Sequence, residues 1–361
     1  MQSSTGSPAY SIILYKLLFL REIFYKPSWR RRVIYNARSV TSGTRKLTVA
    51  TDIRWCKISQ SGLLRFDGPE VQSFLQGQLT NDVKALTETR SQYSGYCTPK
   101  GRLLASFLLW QHNAAVHMLL PLALCEPVRK RLSMYVLRAK VKATDVSSEH
   151  ILFGLAGADS TSIAAAIAGA APAAIHDVVH GDGVSVLLLP VQRYLMVATL
   201  AEASRIAATL AAAATETAEA LWSALDIEAG IPSVVAVTQE QFVPQTVNFD
   251  LIGALSFDKG CYPGQEIVAR THYLGRVKQR MVRARVTTSV AHEAPEAGDK
   301  LYSEPYGNQA SGMIVNAVSA DANTHDVLAV IQTSSLDKSD VHWKSPDGPA
   351  LQVQALPYTV K

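Results

Sequence analysis

The chain has 361 residues, 48% hydrophobic and 18% charged, which suits two or three structural units with a sizeable core. Its formal charge of +5 is concentrated at the start: residues 1–51 carry nine Lys or Arg and one acid, Glu22, leaving 26 basic against 29 acidic residues in the remainder. A slightly acidic body excludes nucleic-acid binding by bulk charge, so direct nucleic-acid contact is not expected and any polyanion site must be local.

In chain order, the leader comes first. "SIILYKLLFL" is an apolar run of about ten residues broken by Lys16. A bilayer span needs about 20, and no small-residue cleavage site follows closely, so neither a membrane segment nor a secretory signal is expected. The rest of residues 1–51 is Arg- and Ser-rich and nearly free of acids. That composition fits a transit-like segment, a disordered leader or a misassigned start.

A folded pattern begins near residue 52. "GLLRFDGPEVQSFLQGQLTNDV" predicts a strand, a turn at Asp67-Gly68-Pro69 and an amphipathic helix whose first turn holds Pro69. Val71, Phe74, Leu75 and Leu79 recur at helical spacing. "SQYSGYCTPKGRLLASFLLWQ" predicts two strands around Thr98-Pro99-Lys100-Gly101, and "VHMLLPLAL" continues the sheet. "CEPVRKRLSMYVLRAKV" predicts an amphipathic helix over 125–141.

Residues 151–230 are Ala-rich, with helices expected after Asp159 and Thr199 and strands in "VSVLLLP" and "RYLMVAT". "TAEALWSALDIEAGIP" predicts a helix ended by Gly230 and Pro232. A loop-rich connection follows, then the densest motif, "FDKGCYPGQEIVART" at 257–271. Beyond it, "GRVKQRMVRARV", "ASGMIVNAV", "DVLAVIQ" and "LQVQALPY" are short and strand-like, a small all-β unit.

Four cysteines, Cys56, Cys97, Cys125 and Cys261, form no CxxC pair. Their scatter matches neither a zinc site nor a resident iron–sulfur cluster, and it suits a reducing compartment. Cys261 has the most distinctive setting. Tyr262-Pro263-Gly264-Gln265 has the residues of a type II turn, and Gly260 allows a bend on the other side. "QEIVARTHYL" predicts a helix with Glu266 in its first turn. A thiol just ahead of a helix N-terminus and near Lys259 is expected to carry thiolate character. A small residue packed in a tight turn is the other reading of the same residues. Arg270, Arg276, Lys278, Arg280, Arg283 and Arg285 make a basic run, either a solvated strand face or a local anion site, and His272 is a surface residue or a proton carrier.

"KGCYPGQEIVART", with "FLQGQLTNDV", "TPKGRLLASF", "LDIEAGIP" and "FVPQTVNFDLIGALSF" in order, resembles the signature of the YgfZ family, over roughly residues 58–360. The resemblance implies a folate-binding accessory factor that supports assembly, maintenance or repair of iron–sulfur clusters in target enzymes, tRNA-modifying radical enzymes among them. It implies a tetrahydrofolate or related folate as cofactor, and iron–sulfur apo-proteins or cluster carriers as partners. The family is similar in turn to the glycine cleavage T-protein. That implies an α+β fold: a three-lobed ring of two α+β lobes and a small C-terminal β-barrel. The lobes would be 52–150, 151–256 and 276–361, with the signature at 257–275. By the same resemblance Trp222 and Glu228 would contact the folate, with Cys261 as functional thiol supported by Lys259, Gln265 and Glu266. Gly260, Tyr262 and Gly264 would shape the turn, and Arg270 and Arg276 would form a basic patch. No permanent metal is implied, only a transient cluster contact at Cys261. The T-protein has an acid after its first glycine turn where this chain has Ala105 and Ser106, which argues against the alternative of an aminomethyl-type one-carbon transferase. A bacterial cytosol is the expected setting, with the mitochondrial matrix as alternative.

Overall fold

The structure is a computed structural model that describes residues 52–289, 293–335 and 340–360. The leader expectation for residues 1–51 lies outside them. Strand β1 (Arg54–Ile58) precedes β2 (Ser61–Asp67), helix α1 (Val71–Gln76), β3 (Gln92–Cys97), β4 (Leu103–His112), β5 (Ala115–Pro121), helix α2 (Leu122–Ser133) and β6 (Lys142–Asp145). Then come β7 (His150–Ala156), helix α3 (Ser160–Ala168), β8 (Val178–Gly181), β9 (Val184–Leu189), β10 (Arg193–Thr199), helix α4 (Leu200–Ala213), β11 (Thr215–Glu216) and helix α5 (Ala220–Ala229). After an irregular stretch come helix α6 (Gln265–Tyr273) and strands β12 (Gln279–Thr287), β13 (Lys300–Ser303), β14 (Gly312–Ser319), β15 (Thr324–Gln332), β16 (Val341–Trp343) and β17 (Leu351–Gln354).

These strands make three sheets, in the orders β3-β4-β5-β2-β6, β11-β1-β7-β10-β9-β8 and β16-β13-β14-β15-β12-β17. The third curls into a half-barrel, its two edge strands approaching through a bridge between His342 and Ala350. The two-residue period of a strand explains how the sheets share a core. In β9, Val184, Val186 and Leu188 pack under the lobe's own helices, while Leu187 and Leu189 face a central cluster. In β15, Val327, Ala329 and Ile331 fill the half-barrel, while Leu328 and Val330 join that central cluster. In β4, Leu104 and Leu109 meet α1 and α2, while Leu108 and Trp110 point inward. Each sheet is thus apolar on both faces, and the inward faces meet around α5 and the loop that follows it.

Three expectations change. β1, grouped by sequence with the 52–150 lobe, pairs with β7 and β11 in the second sheet, because Cys56 and Ile58 belong to the central cluster. α1 begins at Val71, so Pro69 lies ahead of it. α2 starts at Leu122 and stops at Ser133: Leu124, Cys125, Val128 and Leu132 bury one face, whereas Met134, Tyr135 and Leu137 beyond it are exposed.

Candidate functional site

The signature turn folds as its residues demand. Gly264 has φ 82° and ψ 0°, the third-position geometry of a type II turn, and the Gln265 amide donates to the Tyr262 carbonyl at 3.2 Å. The glycine is required twice over. A Cβ on it would lie 2.5 Å from the Thr98 carbonyl oxygen and 2.6 Å from the Gly101 Cα. Gly101 also has positive φ, 69°, and closes its own turn with a 2.9 Å bond to Thr98. The two glycine turns therefore interlock with only backbone between them. Gly260 differs: nothing lies within 4 Å of an added Cβ there.

Lys259 is buried, and its Nζ donates to the carbonyls of Gln76, the last residue of α1, and of Leu79 just past it, at 2.6 and 2.5 Å. The amine also lies 5.0 Å from the Tyr262 ring centroid. Burial pulls this ammonium down to about 8, with the Asp82 carboxylate acting the other way. Two of the ammonium's donors thus go to orphan carbonyls of another segment. The remaining family-like stretch completes the brace. Thr80 Oγ1 donates to the Ala254 carbonyl at 2.8 Å, and Asn81 Nδ2 donates to Tyr93 and Gly253 carbonyls at 2.7 and 2.8 Å. Gln245 Nε2 donates to the Val268 carbonyl inside α6 at 2.6 Å.

On this platform Cys261 is exposed, whereas Cys56, Cys97 and Cys125 are buried. Burial pushes the Cys56 thiol up to about 11 and the Cys125 thiol to about 12, and raises that of Cys97 as well. Those three are inert packing groups. Gly260 and Glu266 are exposed with Cys261, Gln265 is half-buried, and Tyr262 is buried in the central cluster. Among the described residues no group of three His, Cys, Asp or Glu could hold a metal ion. The basic run divides. Arg280 makes a bidentate, buried pair with Asp250 at 2.7 and 3.0 Å, and Arg285 pairs with Asp326. Arg270 and Arg276 stay exposed beside the motif. His272 stacks on Phe257 with ring centroids 3.8 Å apart, and partial burial lowers its pKa.

A cavity of about 90 Å³ opens where the first two lobes meet. Its walls are mostly apolar, with Leu119, Leu189 and Phe249 among them, and Trp222 and Asp226 reach it from α5. The structure thus brings Trp222 to the cavity and leaves Glu228 out: two residues beyond Asp226 on a helix point to a different face. Glu228 is half-buried and makes no hydrogen bond or ion pair with the described residues. Trp222 does not offer an open ring face either. The Arg193 guanidinium lies 4.4 Å over it, and Gly154 presses so close that a Cβ there would sit 2.4 Å from a ring carbon. Asp226, which sequence reasoning missed, supplies the charged side chain among the lining residues, and its Oδ1 accepts from Arg193 Nη2 at 2.5 Å. The signal available in the sequence was its i, i+4 spacing from Trp222, which puts both on one helix face.

No helix among the described residues is long and apolar enough to cross a membrane. No protein-family model matches the chain. Among curated proteins it is 29% identical over 302 residues to the tRNA-modifying protein YgfZ of Klebsiella pneumoniae (strain 342), covering 83% of this chain and 91% of that one. It is 30% identical over 303 residues to the protein of the same name from Enterobacter sp. (strain 638), again covering 83% and 91%. Among solved structures, the glycine cleavage system aminomethyltransferase T from Bartonella henselae superposes with a TM-score of 0.69 over 85% of this chain and 86% of that one, at 14% identity. The likeness to the solved structure is one of fold. Identity at this level along nine-tenths of the relatives' length, carried by motifs that meet in space, means that the chain belongs to the YgfZ family.

Proposed function

We propose that the protein is a folate-binding accessory factor that supports iron–sulfur clusters in target enzymes, with Cys261 as its contact to the cluster or to the cluster-bearing partner. The observation that carries this reading is the exposure of Cys261 on a turn held rigid by Gly264, Gly101 and Lys259, while the other three thiols are buried. A thiol that served only packing would sit with them. In this reading a cluster touching Cys261 would draw on ligands from the cluster-bearing partner as well. The curated relatives are named for tRNA modification. In this reading the link to tRNA runs through the iron–sulfur enzymes that modify it, in the bacterial cytosol, and not through direct nucleic-acid contact.

The cavity suits the pterin end of a folate in kind. It offers apolar walls for a flat heterocycle and a carboxylate, Asp226, for the donor edge. Bound tetrahydrofolate would bring the capacity to carry a one-carbon unit; this chain's part is to hold and orient it. The aminomethyl-transferase alternative gains no support where the T-protein has its acid. Ala105 is buried, and the Ser106 hydroxyl accepts the Val234 amide at 2.8 Å.

The test is complementation of cells that lack the native protein, read as activity of an iron–sulfur tRNA-modifying enzyme. Wild type should restore it and Cys261→Ser should not. Equal restoration by the serine variant would reduce the protein to a scaffold. Anaerobic reconstitution with iron and sulfide, with and without tetrahydrofolate, checks the folate arm separately.

A further inference from the structure

We propose that the segment just beyond α2, residues 134–142, is a docking surface for an anionic lipid bilayer, seated by Met134 and Leu137 and held by Arg138, Lys140 and Lys142. This surface is independent of the folate and cluster readings. Large apolar side chains gathered in water need a reason. Leu137 is 87% exposed, Met134 65% and Tyr135 46%. Leu137 also has φ 48°, the left-handed region that a bulky residue enters at a cost, and no burial of its side chain offsets that cost. The segment is nonetheless fixed in place. The Lys140 amide donates to Glu70 Oε2 at 2.7 Å, and the Ala139 amide to the Val136 carbonyl at 2.8 Å. Gly68 packs so close that a Cβ on it would meet the Lys140 carbonyl oxygen at 2.0 Å.

Charge names the occupant. Residues 129–142 hold six Lys or Arg and no acid, in a body that is otherwise slightly acidic. Arg129 and Lys130 are paired with Glu126, and Arg131 is half-buried. Arg138, Lys140 and Lys142 are exposed, and their side chains have no hydrogen bond or ion pair among the described residues. The nearby acids are committed: Glu70 to the Lys140 amide, and Asp67, opposite Lys142 across β2 and β6, to Arg65 at 2.9 Å. Such a surface matches negative charge and an apolar phase side by side. A bilayer offers both, since aliphatic side chains enter the boundary below the headgroups while Lys and Arg stay at the anionic phosphates. A stable protein interface draws on about 20 or more residues a side, well beyond this short segment. An RNA strand rewards aromatic faces, yet Tyr135 is the least exposed of the three and the other two are aliphatic.

The experiment is flotation of the full chain with vesicles of phosphatidylglycerol and phosphatidylcholine, against vesicles of phosphatidylcholine alone. The chain should partition about tenfold or more in favour of the anionic vesicles, and lose most of that preference between about 0.1 and about 0.5 M salt. Met134→Ser combined with Leu137→Asn should weaken partitioning about fivefold or more. It should leave Tm unchanged or higher, because asparagine accepts the left-handed backbone. Arg138→Glu combined with Lys140→Glu should reduce binding to the level of the neutral vesicles. Val353→Ser, which removes an exposed apolar side chain elsewhere, should change nothing. No preference for anionic vesicles, or binding unaltered in either double variant, overturns the proposal. Filter retention of a single-stranded RNA that both double variants abolish, with vesicles left unbound, overturns it in favour of nucleic acid. Self-association that Met134→Ser with Leu137→Asn disperses, again without vesicle binding, overturns it in favour of a second copy of this chain.

Discussion

The signature turn and the cavity wall solve opposite problems with similar parts. At 257–268 the charged group, Lys259, is buried and spent on backbone carbonyls, while the reactive group, Cys261, is left in the open. At the cavity wall the cation, Arg193 of β10, is again buried, but its partner Asp226 on α5 is turned towards the cavity. The first region presents a side chain outward from a stiff platform. The second fixes one for something that enters. In both, the buried cation is a structural device, and the functional candidate is the neighbour it steadies. Two residues of the basic run are likewise supports, Arg280 for the 244–250 loop and Arg285 through Asp326, while Arg270 and Arg276 stay exposed.

If the signature is a platform, its stability should fail in a specific order. Gly264→Ala should cost the most, about 3 kcal/mol, because the left-handed backbone and the Thr98 contact both forbid a Cβ. Urea denaturation should show this, and Gly260→Ala should change little beside it. A pH titration probes the seam between the first two lobes. Burial pulls His117 from its ordinary 6.5 down to about 3, where it stacks on Trp110, and takes His176 down to about 4. Both are held neutral in the fold, so the unfolded chain binds the extra protons. Stability is complete above about pH 6.5 and falls as pH drops towards the folded values, by about 2 kcal/mol at pH 5 for His117 alone. His117→Phe should flatten part of that slope.

Lys259→Met should cost about 1–3 kcal/mol by leaving the Gln76 and Leu79 carbonyls unsatisfied. It should also slow or speed modification of Cys261 by a thiol reagent less than twofold in the folded protein, since the amine points elsewhere. A large loss of thiol reactivity at constant fold would erase the contrast and restore Lys259 as a direct partner. The smallest effect on stability belongs to Cys261→Ser, within about 0.5 kcal/mol for an exposed position. That variant should melt like wild type and still fail in complementation.

Local chemistry made much of this legible in advance. Pro263-Gly264 specifies a type II turn because few residues accept positive φ, and Gly230 ends α5 in the left-handed conformation for the same reason. The apolar alternation in β9 and β15 announces strands covered on both sides. Spacing along the chain could not reveal what lies opposite. That Gly264 meets Gly101, that Lys259 reaches back about 180 residues to Leu79, and that β1 joins the second sheet depend on which buried surfaces match in three dimensions. The same limit explains Asp226 and Glu228. Both are acids at one helix end, and only packing against Arg193, Trp222 and Gly154 decides which of them meets the cavity, because a helix of known phase still has to be rotated against its neighbours before any side chain has a destination.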